Sequence, residues 1–252
     1  MKYGKLLVVL VALSAIFLFS CSSSKTTNPE DKFLEELAKA DYVVGIVLER
    51  YLDIIRSYAF ITYYSDNPAR PQATMRFNGE VVEIEWEFYG DVWSGYIDQT
   101  FNFWMGDNVN IQLSTPSRTS NQTITLPFRP NITNTDFPPI AHTDFNLSWQ
   151  LNQNAYLQIV MAEGYIEEGW GEYNEVINRS HRSHIIPGST FPANMTGWYV
   201  DITNVAWKSS GNHGFISLEW DSRPVDDWDN SQSRIQDIQS RYMKVYQILK
   251  NQ

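Results

Sequence analysis

The run Glu80–Phe88, EVVEIEWEF, constrains this chain more than any other stretch. Val82, Ile84, Trp86 and Phe88 alternate with Glu83, Glu85 and Glu87. A period of two puts the apolar side chains on one face of a strand and the carboxylates on the other. That describes an antiparallel strand with one face in a core and one in water. Asn78-Gly79 just before it supplies two residues that tolerate positive φ, so the run predicts one arm of a hairpin. Gly90-Asp91 marks a turn into a strand over 92–104, and Gly106-Asp107 leads into Val109, Ile111 and Leu113. Residues 114–122 read as a polar loop before Ile124, Leu126 and Phe128. Phe145, Leu147 and Trp149 alternate again, and a further strand runs to about Glu163. Residues 164–188 read as irregular, with a short strand near His184. Trp198–Trp207 and Phe215–Trp220 predict a hairpin across Ser209-Ser210-Gly211-Asn212.

Two helices frame this pattern. Asn28-Pro29-Glu30-Asp31 combines a capping residue, a first-turn proline and two acids at the positive end of a helix dipole. Leu34, Leu37, Val44, Leu48, Tyr51, Ile55 and Tyr58 follow at threes and fours, interrupted by Asp41, and predict a helix over 29–56. At the other end, Asp229–Ser231 can cap a helix striped by Ile235, Ile238, Tyr242, Val245 and Leu249. The expected fold is mainly β. An antiparallel meander of about nine or ten strands closes into a barrel-like or sandwich fold, flanked by N-terminal and C-terminal amphipathic helices. Residues 29–252 read as one domain, with an internal boundary near 129–142, a stretch rich in Pro, Asn and Thr.

Ahead of the domain, Lys2 and Lys5 precede the apolar stretch Leu6–Phe19. It is shorter than the ~20 residues of a transmembrane helix and has the length of a signal-peptide core. The stretch ends in Leu18-Phe19-Ser20-Cys21, which resembles the lipobox of bacterial lipoproteins. The resemblance implies that residues 1–20 are a signal peptide and 21–28 a lipidated tether. It implies a diacylglycerol on the Cys21 thiol, cleavage before that residue, and acylation of the new N-terminus. Each buried acyl CH₂ contributes about 0.8 kcal/mol, so two or three chains hold such a protein on the membrane. The same resemblance implies a place in the bacterial cell envelope, and Ser22, where an aspartate would act as a retention signal, implies the outer membrane.

The formal net charge of −10 makes nucleic acid an unfavourable partner and repels anionic lipid headgroups, which leaves the acyl chains as the membrane contact. Cys21 is the one cysteine, so neither a disulfide nor thiol catalysis is available to the folded part. His181-x-x-His184 lacks the glutamate of a zinc-protease motif, and its spacing splits the two rings across a strand. The acids Asp221, Asp226, Asp227 and Asp229, and Glu163, Glu167, Glu168, Glu172 and Glu175, lack the ligand spacing of a calcium loop and read as solvated loops. No nucleophile elbow, P-loop or dinucleotide fingerprint occurs, and no catalytic residue, metal or cofactor is expected.

Aromatic usage is the remaining signal. Most of the 13 Phe, 14 Tyr and nine Trp fall on the apolar phase of strands, where a core explains them. Three do not: Tyr96 beside Asp98 and Thr100, Tyr199 beside Asp201 and Thr203, and Trp170 between two glycines in an acidic loop. An aromatic beside polar groups stacks on a sugar ring or grips a peptide, so these are the candidate ligand-binding residues. The expected function is a membrane-anchored, non-catalytic lipoprotein that binds a protein or glycan. The alternatives are a carrier with a lipid in a lumen lined by Val82, Ile84, Trp86, Phe88, Ile97, Phe101 and Phe103, and a glycan-degrading enzyme.

Overall fold

In the computed structural model, the described residues are 29–51, 54–65, 67, 69–90, 92–151, 156–167, 169–223 and 242–249. The expected leader and tether, Cys21, and Asp226, Asp227 and Asp229 lie outside them.

The chain begins with helix α1 (Pro29–Ala38), followed by β1 (Tyr42–Tyr51), β2 (Ile54–Tyr64), β3 (Thr74–Phe77), β4 (Glu80–Val82) and β5 (Glu85–Phe88). Next come β6 (Val92–Phe101), β7 (Asn108–Ser114), β8 (Thr119–Thr125), β9 (Asn131–Ile132) and β10 (Phe145–Gln150). The remaining strands are β11 (Leu157–Ile166), β12 (Gly169–Ile177), β13 (Ser183–Ile186), β14 (Gly197–Ser210) and β15 (His213–Arg223). A helix, α2, covers residues 242–249.

One eight-stranded sheet, ordered β12-β11-β14-β15-β1-β2-β6-β5, forms the centre. Two small sheets, β4-β3-β7-β8 and β13-β10-β9, accompany it. Among the described residues no sheet closes on itself, so the expected barrel is not formed. Nor is the sheet a plain meander. β1 pairs antiparallel with β2 but parallel with β15, placing the first strand beside the last in the middle of the sheet.

Alternation along each strand assigns the core to the two faces of the large sheet. On one face, Val43, Val47, Phe60, Ile159, Met161, Val205, Ile216 and Leu218 pack under Phe33 and Leu37 of α1 and Tyr242, Val245, Tyr246 and Leu249 of α2. The other face is shared. Val44, Ile46, Ile61 and Phe215 meet the four-stranded sheet, and Val160, Ala162, Val200 and Ile202 meet the three-stranded one.

The largest departure from the sequence reading is the helix expected over 29–56. It stops at Ala38, and Tyr42–Tyr64 is a strand pair. Every side chain from Tyr42 to Leu48 is buried, because β1 is central and covered on both faces. Such a strand reads as a continuous apolar run, whose threes and fours imitate a helical stripe. The β-branched Val43, Val44, Ile46 and Val47 favour the extended form. Asp41, the expected interruption, lies exposed at the bend before β1, where Asn212 donates to its carboxylate.

Other boundaries shift for local reasons. The Glu80–Phe88 run keeps its alternation but serves two sheets: β4 pairs with β3 and β5 with β6. Asn78 and Gly79, with φ of 49° and 91°, make the expected turn. The loop read over 114–122 shrinks to the turn between Ser114 and Thr119, and its polar remainder is the edge strand β8. The irregular stretch after Gly164 contains β12, an edge strand with a nine-pair register to β11.

Candidate functional site

At one end of the helix-covered face, the packed layer gives way to a polar cleft of about 530 Å³. It is lined by Glu163, Tyr165, Trp170, Glu172, Met243, Lys244 and Gln247. Register explains the grouping. β11 carries Leu157, Ile159 and Met161 into the core, and the same phase then places Glu163 and Tyr165. Directly opposite them on β12 stand Glu172 and Trp170, and opposite Glu163 on β14 stands Tyr199. Side chains of directly paired residues share a face, so five functional groups from three strands point the same way.

Helix α2 supplies the remaining wall. Tyr242, Val245, Tyr246 and Leu249 are buried in the core, which fixes the helix and turns Lys244 toward Glu163. The Lys244 ammonium donates to Glu163 Oε1, lies 3.2 Å from Glu172 Oε1, and donates to the Tyr199 hydroxyl at 3.1 Å. It also stands 5.6 Å over the Tyr199 ring. Tyr165 donates to Glu163 Oε2, and Tyr199 donates to Glu163 Oε1 at 3.2 Å. Glu163 therefore sits at the centre of the network with both oxygens engaged.

The electrostatics follow from these contacts. Burial tends to raise the pKa of Glu163, but hydrogen bonds from Lys244 and Tyr165, and the ammonium charge, outweigh it and hold the carboxyl below its usual range. Burial likewise opposes the charged form of Lys244, and its bonds to Glu163 with the charges of Glu163 and Glu172 raise it instead. The phenol of Tyr165 is pushed up by burial and by the adjacent carboxylate. Glu163 and Lys244 are thus a fixed ion pair at neutral pH, with Glu172 contributing a second negative charge.

Trp170 stands out of this network, with 67 % of its surface exposed. Its flanking glycines have backbone reasons. Gly169 has φ of 145°, and Gly171, paired with Gly164, receives the Thr190 carbonyl on the far face of the sheet, where a Cβ would clash. The loop at Thr190 thereby presses on the floor of the cleft from behind. Tyr165, 38 % exposed, lies across from Trp170, and the pair makes an aromatic rim.

Of the three aromatic candidates, Trp170 lines this cleft, and Tyr199 stands behind its lining, bonded to Glu163 and Lys244. Tyr96 does neither: it sits on β6, toward the other end of the sheet, partly buried against Phe60 at a ring separation of 6.4 Å. It packs, partly buried, against the cluster that Phe60 forms with α1 and α2. Sequence reasoning missed Glu163, Tyr165 and Lys244. Glu163 carried a readable signal, since it falls on the apolar phase set by Leu157, Ile159 and Met161. Lys244 became meaningful only once α2 was placed.

Other clusters are structural. Asp221 is buried, accepts from Arg129 at 2.6 Å, Arg223 at 2.8 Å and the Ile132 amide at 2.7 Å, and so anchors β9 rather than lining a solvated loop. On the far face of β12, His184 stacks on Tyr173 at 5.7 Å and lies 3.5 Å from Glu175, while His181 is exposed in the preceding turn. Among the described residues, no three His, Cys, Asp or Glu side chains gather to hold a metal ion.

A second cleft, of about 480 Å³, is lined by Arg70, Thr74, Val82, Ile84, Trp86 and Ser114 among others. Here the aromatic is engaged: Trp86 meets Trp93 edge-on at 6.5 Å, and Arg70 donates to the Ile84 carbonyl at 3.2 Å. No protein-family model matches the chain, and no curated protein matches its sequence.

Proposed function

We propose that this chain is a membrane-anchored, non-catalytic lipoprotein whose β-rich domain binds a protein or glycan partner at the cell envelope. In this reading a sandwich-like, helix-flanked domain is tethered through a lipid on Cys21 in the outer membrane. The observation that carries the binding role is the cleft beside Trp170. A large aromatic, mostly exposed, stands next to an ordered set of carboxylate, ammonium and phenol groups.

The packing and the electrostatics weigh against the alternatives. A carrier needs an apolar lumen, yet Ile97 and Phe101 are buried in the packing between two sheets, with Phe101 stacked on Phe103 at 5.0 Å, and the cleft lined by Val82, Ile84 and Trp86 is shared with Arg70, Thr74 and Ser114. A glycan-degrading enzyme of the common carboxylate type needs an acid with a raised pKa. The pKa of Glu163 is lowered, and Lys244 ties it to Glu172.

The test is co-sedimentation of the full-length protein, kept in detergent throughout so that its acyl chains stay in micelles, with detergent-insoluble envelope material. Wild type is expected to associate and Trp170→Ala to lose association. Equal association by both would refute the cleft as the binding site. Native mass spectrometry of the extract addresses the carrier, which requires a co-purifying hydrophobic ligand. Separately, Cys21→Ser is expected to abolish membrane attachment and leave uncleaved precursor. Normal processing and membrane recovery of this variant would contradict the anchor.

A further inference from the structure

Resting on the binding role just proposed, we infer that the Trp170 cleft takes a neutral glycan built of gluco-configured pyranose rings. Three features of the cleft carry this. The first is the platform. Trp170 is 67 % exposed on an edge strand and faces Tyr165 directly across the β11–β12 register. Pyranoses with equatorial hydroxyls present flat faces of axial C–H bonds, and such a face stacks on an indole while the hydroxyls project sideways. An axial hydroxyl, as in a galacto ring, breaks one of those faces.

The second feature is what lies beside the platform. Glu163, Glu172, Lys244 and the Gln247 amide line the same cleft. The Glu172 carboxylate accepts from vicinal hydroxyls and the Gln247 amide donates to them, which is the pairing that sideways-projecting sugar hydroxyls require. The groups are held in place before a ligand arrives. Both Glu163 oxygens are bonded within the protein, and Lys244 is fixed by Glu163, Glu172 and Tyr199. That preorganisation reduces the ordering cost of binding. The volume of about 530 Å³ falls within the usual range of small-ligand sites, about 300–1,000 Å³.

The third feature selects charge. Among the described residues, the cleft holds two carboxylates and one ammonium, and that ammonium is already shared between them. The whole chain is acidic as well, with a formal charge of −10. A uronic acid or a phosphorylated sugar would enter a negative field with no free cation among the cleft's described residues to meet it. Neutral rings meet no such penalty.

The experiment is calorimetric titration of the full-length lipoprotein, held in a detergent without sugar groups, with three probes. Chitohexaose and cellohexaose are neutral and gluco-configured, whereas hexagalacturonate is anionic and galacto-configured. At least one neutral hexasaccharide should bind, with hexagalacturonate weaker by about tenfold or more. Trp170→Ala should lose that binding by a similar factor while melting as wild type does. Trp104→Ala, which removes another exposed indole, should bind normally. Lys244→Met should weaken the neutral sugar, because it releases the two carboxylates from their shared partner.

The inference is overturned if neither neutral hexasaccharide binds, if Trp170→Ala binds as well as wild type, or if hexagalacturonate binds best. Comparison with co-sedimentation separates the two levels of the argument. If Trp170→Ala loses the envelope fraction while no sugar binds, the partner is a protein: the glycan inference fails and the binding role stands. If Trp170→Ala changes neither measurement, both fail.

Discussion

Tyr242 and Lys244 are two residues apart on the same helix and meet the same sheet in opposite ways. Tyr242 is fully buried, stacked on Phe60 at 5.2 Å, and occupies the space left by the missing side chain of Gly45. Its hydroxyl lies 3.4 Å from that of Thr62. Lys244 instead reaches strands where the apolar phase has turned acidic, and its surroundings are charges, phenols and solvent. The Tyr242 end is packed so tightly that a methyl group cannot be added. The Lys244 end is ordered by hydrogen bonds and left open. One helix thus fastens the domain shut and, a half-turn later, furnishes the wall of a cleft. Stability should concentrate at the first contact and binding at the second.

This contrast orders the expected effects of substitution. Tyr242→Ala removes a fully buried ring and should cost about 3–5 kcal/mol, measured by denaturant unfolding. A loss no larger than that of Lys244→Ala would break the comparison. Gly45→Ala should cost about 1–3 kcal/mol, because the new methyl overlaps the Tyr242 ring pinned against Phe60. Combined with Tyr242→Ala, its penalty should largely vanish, since the ring it collides with is gone. An additive double variant would show that the strain lies elsewhere.

Lys244→Ala should cost about 1–2 kcal/mol, between an exposed pair and a fully buried one, since the lysine side chain keeps 32 % of its surface in water. The pair also sets an acid limit. Glu163 titrates lower folded than unfolded, so the stability it contributes is complete above its ordinary pKa of 4.5 and is lost as pH falls through the lower folded value. Glu163→Gln should remove that part of the acid slope, and an unchanged slope would contradict the assignment.

His213, at the start of β15, adds a second pH dependence. It is buried with neither ring nitrogen hydrogen-bonded to a described residue, and burial, followed by the charge of Arg118, holds its pKa below the ordinary 6.5, with Asp41 opposing. The unfolded chain then binds a proton that the folded one refuses, so stability falls as pH drops below 6.5. His213→Phe should flatten this part of the profile. The smallest expected effect on stability belongs to Trp170→Ala, within about 0.5 kcal/mol of wild type, as for other exposed substitutions.

How much was legible in the sequence follows from how each segment is covered. Strands with one wet face, such as β7 and β10, show strict alternation and were readable. The turns at Asn78-Gly79 and Gly211-Asn212 were readable because their backbone demands particular residues. β1 and β2 were not, since burial on both faces erases the period that tells a strand from a helix. β12 was hidden for the opposite reason: at a sheet edge, glycines and acids replace the apolar phase. The site divides similarly. Trp170 and Tyr199 stood out as aromatics among polar neighbours and lie at or beside the candidate cleft, while Tyr96 gave the same signal and packs against the core cluster. No local pattern could link Glu163, Tyr165 and Lys244, because their meeting depends on the β11–β12–β14 register and on α2, distant in sequence.

Hydrogen–deuterium exchange of the full-length protein, with and without an envelope fraction that it co-sediments with, tests most directly that the open end of the helix-covered face is the working surface. The account predicts added protection in the peptides that carry Trp170 and Lys244, and little change around Gly45 or Trp86. Protection confined to the second cleft, at Arg70, Ile84 and Trp86, or none at the peptides carrying Trp170 and Lys244, would contradict it.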